Sequence, residues 1–424
     1  MRFVLGLAIA ASLFGETKTI SLKEAVQLAL RENPDLILAR IDEQKANLAI
    51  RIAKDPFRPK VFAGSGLAYS NGFPMSIEGA APSIVQAKAV SSIFNRSYSF
   101  HVAQTIQEAR TAAIDTQIKR DSIVLRTAAL YLDAARWART EEAVRGEIDS
   151  LRHTDETVQA RVKEGRELAI EAKRSALAVA KSLLRLEQIR QERESAEGAL
   201  AGVLGLSAGE RVRSVSSELF VPDIPQSKEA SVQQALDNSK ELRRLESAML
   251  AKRHEIRQYR SNHLPSVDLV AQYGLFARFN NYEDFFRKFQ RNNGQIGISL
   301  QLPLFPSAAS LAEAAQAEGE LSALRTQSAQ TRNRISLNTG NAYRQVELSG
   351  KSREIARLDL EIARDQVNIF LAQVEEGRAT LRQLEEARFQ EQEKWILYFD
   401  AQYTAEKARL ELLHMMGTLQ AALQ

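Results

Sequence analysis

Two stretches of this 424-residue chain contain no proline, residues 83–221 and 307–424. Proline inside a helix costs about 3 kcal/mol, and both stretches are rich in Ala, Leu, Glu, Arg and Gln. They therefore read as long helices. A helix from about Gln107 to Glu164 would run roughly 87 Å at the standard rise per residue. A globular core has no use for such a helix, whereas a coiled coil or a tube does.

The two stretches are copies of one another. Sliding the chain along itself by one constant offset places Tyr131 on Tyr343, Val162 on Val374, Gly165 on Gly377, Arg166 on Arg378, Leu200 on Leu412 and Gly205 on Gly417. The segments before them match at a second, slightly smaller offset, with Val26 on Val232, Leu36 on Leu242, Ile50 on Ile256 and Pro59 on Pro265. The difference between the two offsets must fall in the strand and loop region between. A tandem duplication follows, with repeat one over 16–226 and repeat two over 227–424. The linker from about Ser207 to Gln226 carries Pro222 and Pro225.

Each repeat has the same expected layout. A short helix (Leu22 to Arg31; Lys228 to Asp237) leads into a medium one (Pro34 to Lys54; Lys240 to Arg260), then strand, loop, strand and a very long helix. Gly165 and Gly377 each interrupt that helix within Glu-Gly-Arg. Glycine tolerates a left-handed residue and ends helices. A tolerated mid-helix glycine is the alternative, and the duplication favours a hairpin turn followed by a returning helix.

Four segments alternate at the strand period: about 60–70, 96–106, 265–276 and 294–303. In the second of these, Tyr98, Phe100 and Val102 oppose Ser97, Ser99 and His101; in the fourth, Ile296, Ile298, Leu300 and Leu302 oppose Gln295, Gly297, Ser299 and Gln301. Each is long enough, or nearly so, for a tilted membrane-spanning strand. Alternation equally describes a sheet covered by helices in water. Segments 70–95 and 277–294 read as exposed loops.

Context bears on that choice. The N-terminal MRFVLGLAIAASLFG reads as a signal peptide over 1–15, too short for a helical span. The chain has no cysteine, which excludes disulfides, thiol nucleophiles and thiolate metal sites. Its five histidines show no metal-ligand spacing on a helix face. The 57 basic and 53 acidic side chains are evenly mixed, which is no footprint for nucleic acid. No enzyme fingerprint is present, and no cofactor or metal is expected. Polar faces carrying His101, Asp268, Gln272, Gln295 and Gln301 suit a watery lumen. Four strands cannot close a barrel, so if these span a membrane the chain must oligomerise; three chains would supply twelve. A soluble periplasmic coiled-coil adaptor or scaffold is the rival reading. An adaptor would carry one hairpin, where this chain has two.

The repeated opening SLKEAVQLALRENPDL (21–36), RPKV (58–61) with its counterpart LPSV (264–267), SLQLPLF (299–305) and the two glycine turns carry a resemblance over nearly everything after the signal. The chain resembles the bacterial outer membrane efflux proteins, the TolC-like family. That resemblance implies a mainly α fold with a small transmembrane β part: a homotrimer with a shared twelve-stranded barrel in the outer membrane and a periplasmic tunnel of coiled-coil hairpins. It implies a passive exit duct for a tripartite efflux pump or type I secretion system, whose partners are a periplasmic adaptor protein and an inner-membrane pump. The glycine turns become the tunnel's tips, where the adaptor docks, with Gly165, Arg166, Gly377, Arg378 and Thr380 as contact candidates. The family's tip pattern, roughly Gly-x-x-Ser/Thr-x-x-Asp/Glu, is half kept in each copy. Glu171 fits the acid where Leu168 misses the hydroxyl, and Thr380 fits the hydroxyl where Gln383 misses the acid. An inward carboxylate becomes a ring of three in a trimer and favours cations; Glu171, Glu385 and Glu386 are the gate candidates, with a solvated helix face as the plainer alternative.

Overall fold

The computed structural model describes residues 17–66, 83–207, 210–215, 224, 227–277, 283, 287, 290–305 and 307–423. The expected signal segment 1–15, the strand residues Leu67 and Tyr69, and Pro222 and Pro225 of the linker lie outside these residues.

Element lengths follow the two sequence offsets. At the smaller offset, helices α1 (Leu22–Glu32) and α2 (Pro34–Ala53) and strand β2 (Lys60–Gly66) start in register with α5 (Lys228–Asn238), α6 (Lys240–Arg260) and β5 (Ser266–Phe276). At the larger one, helices α3 (Arg96–Lys163) and α4 (Ala169–Val203) start and end in register with α7 (Ala308–Glu375) and α8 (Leu381–Met415). The offset changes between strand and helix: β3 (Ser83–Phe94) runs almost directly into α3, whereas residues 302–307 separate β6 (Asn292–Gln301) from α7.

One expected strand is a helix. Residues 97–103 lie in the first turns of α3, because Asn95 caps that helix: its side-chain oxygen accepts the Tyr98 N–H at 3.0 Å and its carbonyl accepts the Ser99 N–H at 3.1 Å. Arg96 and Phe100 then meet across one helical turn, with the guanidinium 5.0 Å from the ring centre. The strand that partners β2 is instead β3, inside the segment expected as a loop. Its central AKAVSS run is poor in β-branched and aromatic residues, so intrinsic preference understates it.

The chain divides into two compact units. One comprises residues 1–39, 116–240 and 331–424. Its core gathers the apolar face of α1 (Ala25, Val26, Ala29, Leu30) with Val124, Tyr131 and Leu132 of α3, Leu200 of α4, and Leu410 and Leu412 of α8. The repeat of i, i+1, i+4 and i+5 on α1 is what an amphipathic helix buries. A short parallel pair, β1 (Thr17–Ile20) with β4 (Arg211–Ser214), closes the edge of that core. The buried Tyr131 hydroxyl pins it, accepting the Val215 N–H at 3.1 Å and donating to the Ile20 carbonyl at 3.1 Å. The last helix, α9 (Leu419–Leu423), adds Leu419 and Leu423.

The other unit comprises residues 40–115 and 241–330. It holds a four-stranded antiparallel sheet in the order β2-β3-β5-β6. In the same unit, Ile256 of α6 packs with Ala317 and Leu321 of α7. Lys252 of α6 bridges Glu255 and Glu320, each at 2.6 Å.

Candidate functional site

The strand register decides which side chains share a face, because directly paired residues point the same way. Asp268 pairs with Ser299, Gln272 with Gln295 and Ser266 with Gln301. Four of the five residues expected on the polar side therefore share one face, and Gln295 donates to Gln272 at 3.1 Å. Lys88 of β3 pairs with both Gln272 and Phe62, which adds a cation to that face. His101 does not belong to it: it is an exposed residue of α3. Sequence reading misses Lys88 because the run around it lacks strand signals.

The opposite face is apolar. Leu269 pairs with Ile298, Ala271 with Ile296 and Val267 with Leu300, continued across the sheet by Ala89 with Val61 and Ala87 with Ala63. On β6 the apolar row stands free, with Ile296 76% and Ile298 70% exposed. Strands β2 and β6 are the sheet's two edges.

The helical turns form the second group. Gly165 and Gly377 have φ of 72° and 74°, the left-handed region. At each, the glycine N–H donates to the Val162 or Val374 carbonyl, at 3.0 and 3.1 Å. The following Arg N–H reaches further back, to the Arg161 or Gln373 carbonyl, both at 2.8 Å. This double closure satisfies the last carbonyls of α3 and α7. Arg166 and Arg378 are exposed and each pairs with the glutamate just before the glycine, Glu164 at 3.3 Å and Glu376 at 3.1 Å. Such pairs contribute little to stability.

The helices that return from the turns start differently. Thr380 caps α8 in a reciprocal box: its hydroxyl accepts the Gln383 N–H at 3.3 Å, and the Gln383 side chain accepts the Thr380 N–H at 2.9 Å. Gln383, which departs from the acid of the family pattern, completes the cap. Leu168 precedes α4 with no side-chain cap, and Glu171 in the first turn supplies negative charge there instead. Its carboxylate accepts from Arg174 at 2.7 Å.

The structure brings two of the three gate candidates together. Burial pushes the Glu385 carboxyl up from its ordinary value, the Glu171 charge pushes it further, Arg388 opposes this, and Asp155 adds to it. Arg388 of α8 donates to Ser150 and Thr154 of α3 at 2.6 and 3.2 Å. Ser175 of α4 donates to Asp155. Glu386 sits apart as an exposed residue that none of these contacts includes. Asp155 and Arg388 carry no sequence motif; only the packing of α3, α4 and α8 makes them neighbours.

Residues 231–418 match the outer membrane efflux protein family. The chain is 26% identical over 327 residues to the outer membrane protein TolC of Escherichia coli strain K12, a match covering 72% of this chain and 64% of that one. The matched part thus spans less than two thirds of that relative. Among solved structures, a membrane protein from Pseudomonas aeruginosa superposes with a TM-score of 0.75 at 16% identity, covering 93% of this chain and 92% of the other. The outer membrane protein VceC from Vibrio cholerae gives 0.72 at 18% identity, covering 93% and 96%. The Campylobacter jejuni CmeC outer membrane channel gives 0.75 at 15% identity, covering 94% and 86%. Residues 231–418 are thus similar to the outer membrane efflux proteins, and the chain as a whole has the fold of these solved outer membrane proteins.

Proposed function

We propose that three copies of this chain form an outer-membrane exit duct, the last conduit of a tripartite efflux pump or type I secretion system. The observation that carries this reading is the four-stranded sheet: two edges, one apolar face and one polar face. Open edges in lipid leave backbone groups unpaired at several kcal/mol each, so copies must join edge to edge. Two copies would give eight strands, whose interior side chains fill. Three give twelve, with room for a lumen lined by Lys88, Asp268, Gln272, Gln295 and Gln301. Membrane lipid faces Ile296, Ile298 and Leu300. The helical hairpins continue the wall on the periplasmic side, and each repeat, 16–226 and 227–424, contributes two strands and one hairpin. Passage is passive; a periplasmic adaptor docks at the turns around Gly165, Arg166, Gly377, Arg378 and Thr380, and an inner-membrane pump supplies the energy. The soluble adaptor reading has no counterpart for the free apolar row on β6.

Imaging of the detergent-extracted protein with its mass tests the assembly. The expected particle contains three chains with a barrel cap and a helical tube. A chain that stays monomeric and soluble without detergent overturns the reading.

The gate is Glu171 with Glu385, two carboxylates held near each other by α4 and α8. Replacing both (Glu171→Gln with Glu385→Gln) is expected to raise passive conductance in planar bilayers several-fold and weaken cation preference. Glu385 holds its proton to higher pH than an ordinary glutamate. Acidification therefore neutralises it ahead of exposed carboxylates. Conductance and selectivity equal to those of the wild type would remove the pair as a gate.

A further inference from the structure

The duplication places an acid at the same level of both hairpins and then gives the two acids different partners. On α7, Asp359 accepts from Lys394 of α8 at 2.8 Å. The offset that superposes α3 on α7 takes Asp359 back to Glu147, and Lys394 back to Ser182. A fixed ion pair in repeat two thus becomes a carboxyl facing a hydroxyl in repeat one. Ser182 is buried and hydrogen-bonds to Glu147. The second carboxyl oxygen of Glu147, Oε2, is buried with no partner among the described residues. On the same two helices lie Val144, Ile148, Leu186 and Ile189, an apolar patch between α3 and α4.

Nearer the start of α3 the contrast is direct. Glu141, 5% exposed at its side chain, accepts from Arg193 at 2.7 Å, from Arg190 at 3.2 Å and from Arg145. Burial pushes its carboxyl up, but the hydrogen bonds from Arg193 and then Arg190 outweigh that and hold it below the ordinary value. Glu147 has no such ring among the described residues. The charged group that acts on it is Arg185 of α4, and burial outweighs Ser182 and Arg185 together, pushing its carboxyl up to about 7. Arg185 is already engaged: its Nη1 donates to Glu393 of α8 at 3.4 Å, a bond that ties α4 to α8 at this level.

We propose that Glu147 is a proton-operated latch on the α3–α4 hairpin: protonated, it rests on Ser182 and leaves Arg185 with Glu393; ionised, it draws Arg185 to itself and releases α4 from α8. The balance of energies supports that direction. A half-exposed pair with a long contact contributes little, whereas an unpaired carboxylate in an apolar patch is costly and takes the nearest cation. The sign follows from linkage. The folded chain holds this proton where the unfolded chain has lost it, so stability falls as pH rises from about 4.5 to about 7 and is level above. The inference stands on α3, α4 and α8 alone and does not rest on the exit-duct reading.

Amide hydrogen exchange over residues 181–189 of α4 tests it, comparing the wild type with Glu147→Gln at the same pH so that intrinsic exchange cancels. The glutamine keeps the protonated form's shape at every pH. The expected ratio of wild-type to variant exchange is near one at about pH 5.5 and rises roughly threefold or more by about pH 8.5, with its midpoint near 7. Ser182→Lys, which installs the cation of repeat two, should remove the pH dependence as well, and carries the comparison if the glutamine variant fails to assemble. A ratio that stays flat across this range overturns the proposal.

Discussion

Gly205→Ala is expected to lower stability by roughly 2–5 kcal/mol, far more than the same change at Gly165. Both glycines have positive φ, 75° and 72°, and a side chain in that region costs roughly 1–2 kcal/mol. They differ in what surrounds them. A Cβ on Gly165 meets nothing within 4 Å among the described residues, but on Gly205 it falls 2.5 Å from the Glu32 carbonyl oxygen. That oxygen is backbone at the end of α1 and cannot swing aside. Relief requires moving α1, whose apolar face is buried in the core, and overpacking of this kind costs about 1–3 kcal/mol more. The neighbouring Asn33, itself buried, donates to the Val203 carbonyl at 2.7 Å and its side-chain oxygen accepts the Leu36 N–H at 3.2 Å, so the α1–α2 corner is locked to the end of α4. Repeat two builds the same junction: Asn238 donates to the Met416 carbonyl at 2.9 Å, and a Cβ on Gly417 comes 3.0 Å from the Asn238 Cβ. Unfolding midpoints in detergent should therefore rank wild type, then Gly165→Ala and Gly377→Ala together, then Gly205→Ala well below. Equal losses at Gly165 and Gly205 would mean that the close approach to Glu32 does not hold this corner.

What the sequence makes legible has a physical pattern. The long helices are readable because proline is excluded from them over very long stretches, and the turns because glycine is the residue a left-handed position needs. The short helices α1, α2, α5 and α6 fall close to their expected bounds. The strand before α3 is misplaced for a local reason. Tyr98, Phe100 and Val102 alternate too briefly to distinguish a strand from a first helical turn, and Asn95 looks like any polar residue until its cap is seen. A signal is available: the offset between the two hairpins takes Ala308, the start of α7, to Arg96, the start of α3. The lumen candidates Asp268, Gln272, Gln295 and Gln301 are readable because strand period alone assigns a face. Lys88 is not, because its own run lacks strand signals, and Asp155, Arg388 and Glu147 are not, because their surroundings come from other helices.

The apolar row on β6 carries the second large expected effect. Ile296 pairs with Ala271 in the middle of the strand and stands 76% exposed. In lipid an arginine near the midplane of a strand costs about 2–4 kcal/mol, and three copies of the change put roughly 6–12 kcal/mol on one assembly. Ile296→Arg should therefore lose most of the proposed outer-membrane trimer. In water the same position would be an ordinary exposed site, where a charge shifts stability by no more than about 0.5 kcal/mol. Ser299→Arg supplies the internal comparison. Ser299 lies further along the same strand but pairs with Asp268 on the polar face, so the arginine there should leave insertion intact and alter only ion selectivity. Membrane fractionation followed by native mass measurement reads the assembly of both, and bilayer conductance reads the selectivity. The two faces of β6 thus make opposite demands on one residue type, and only a sheet with lipid on one side and water on the other makes both. Equal tolerance of arginine at 296 and 299 would take the apolar face out of the membrane, and with it the edge-to-edge closure that three copies are proposed to make.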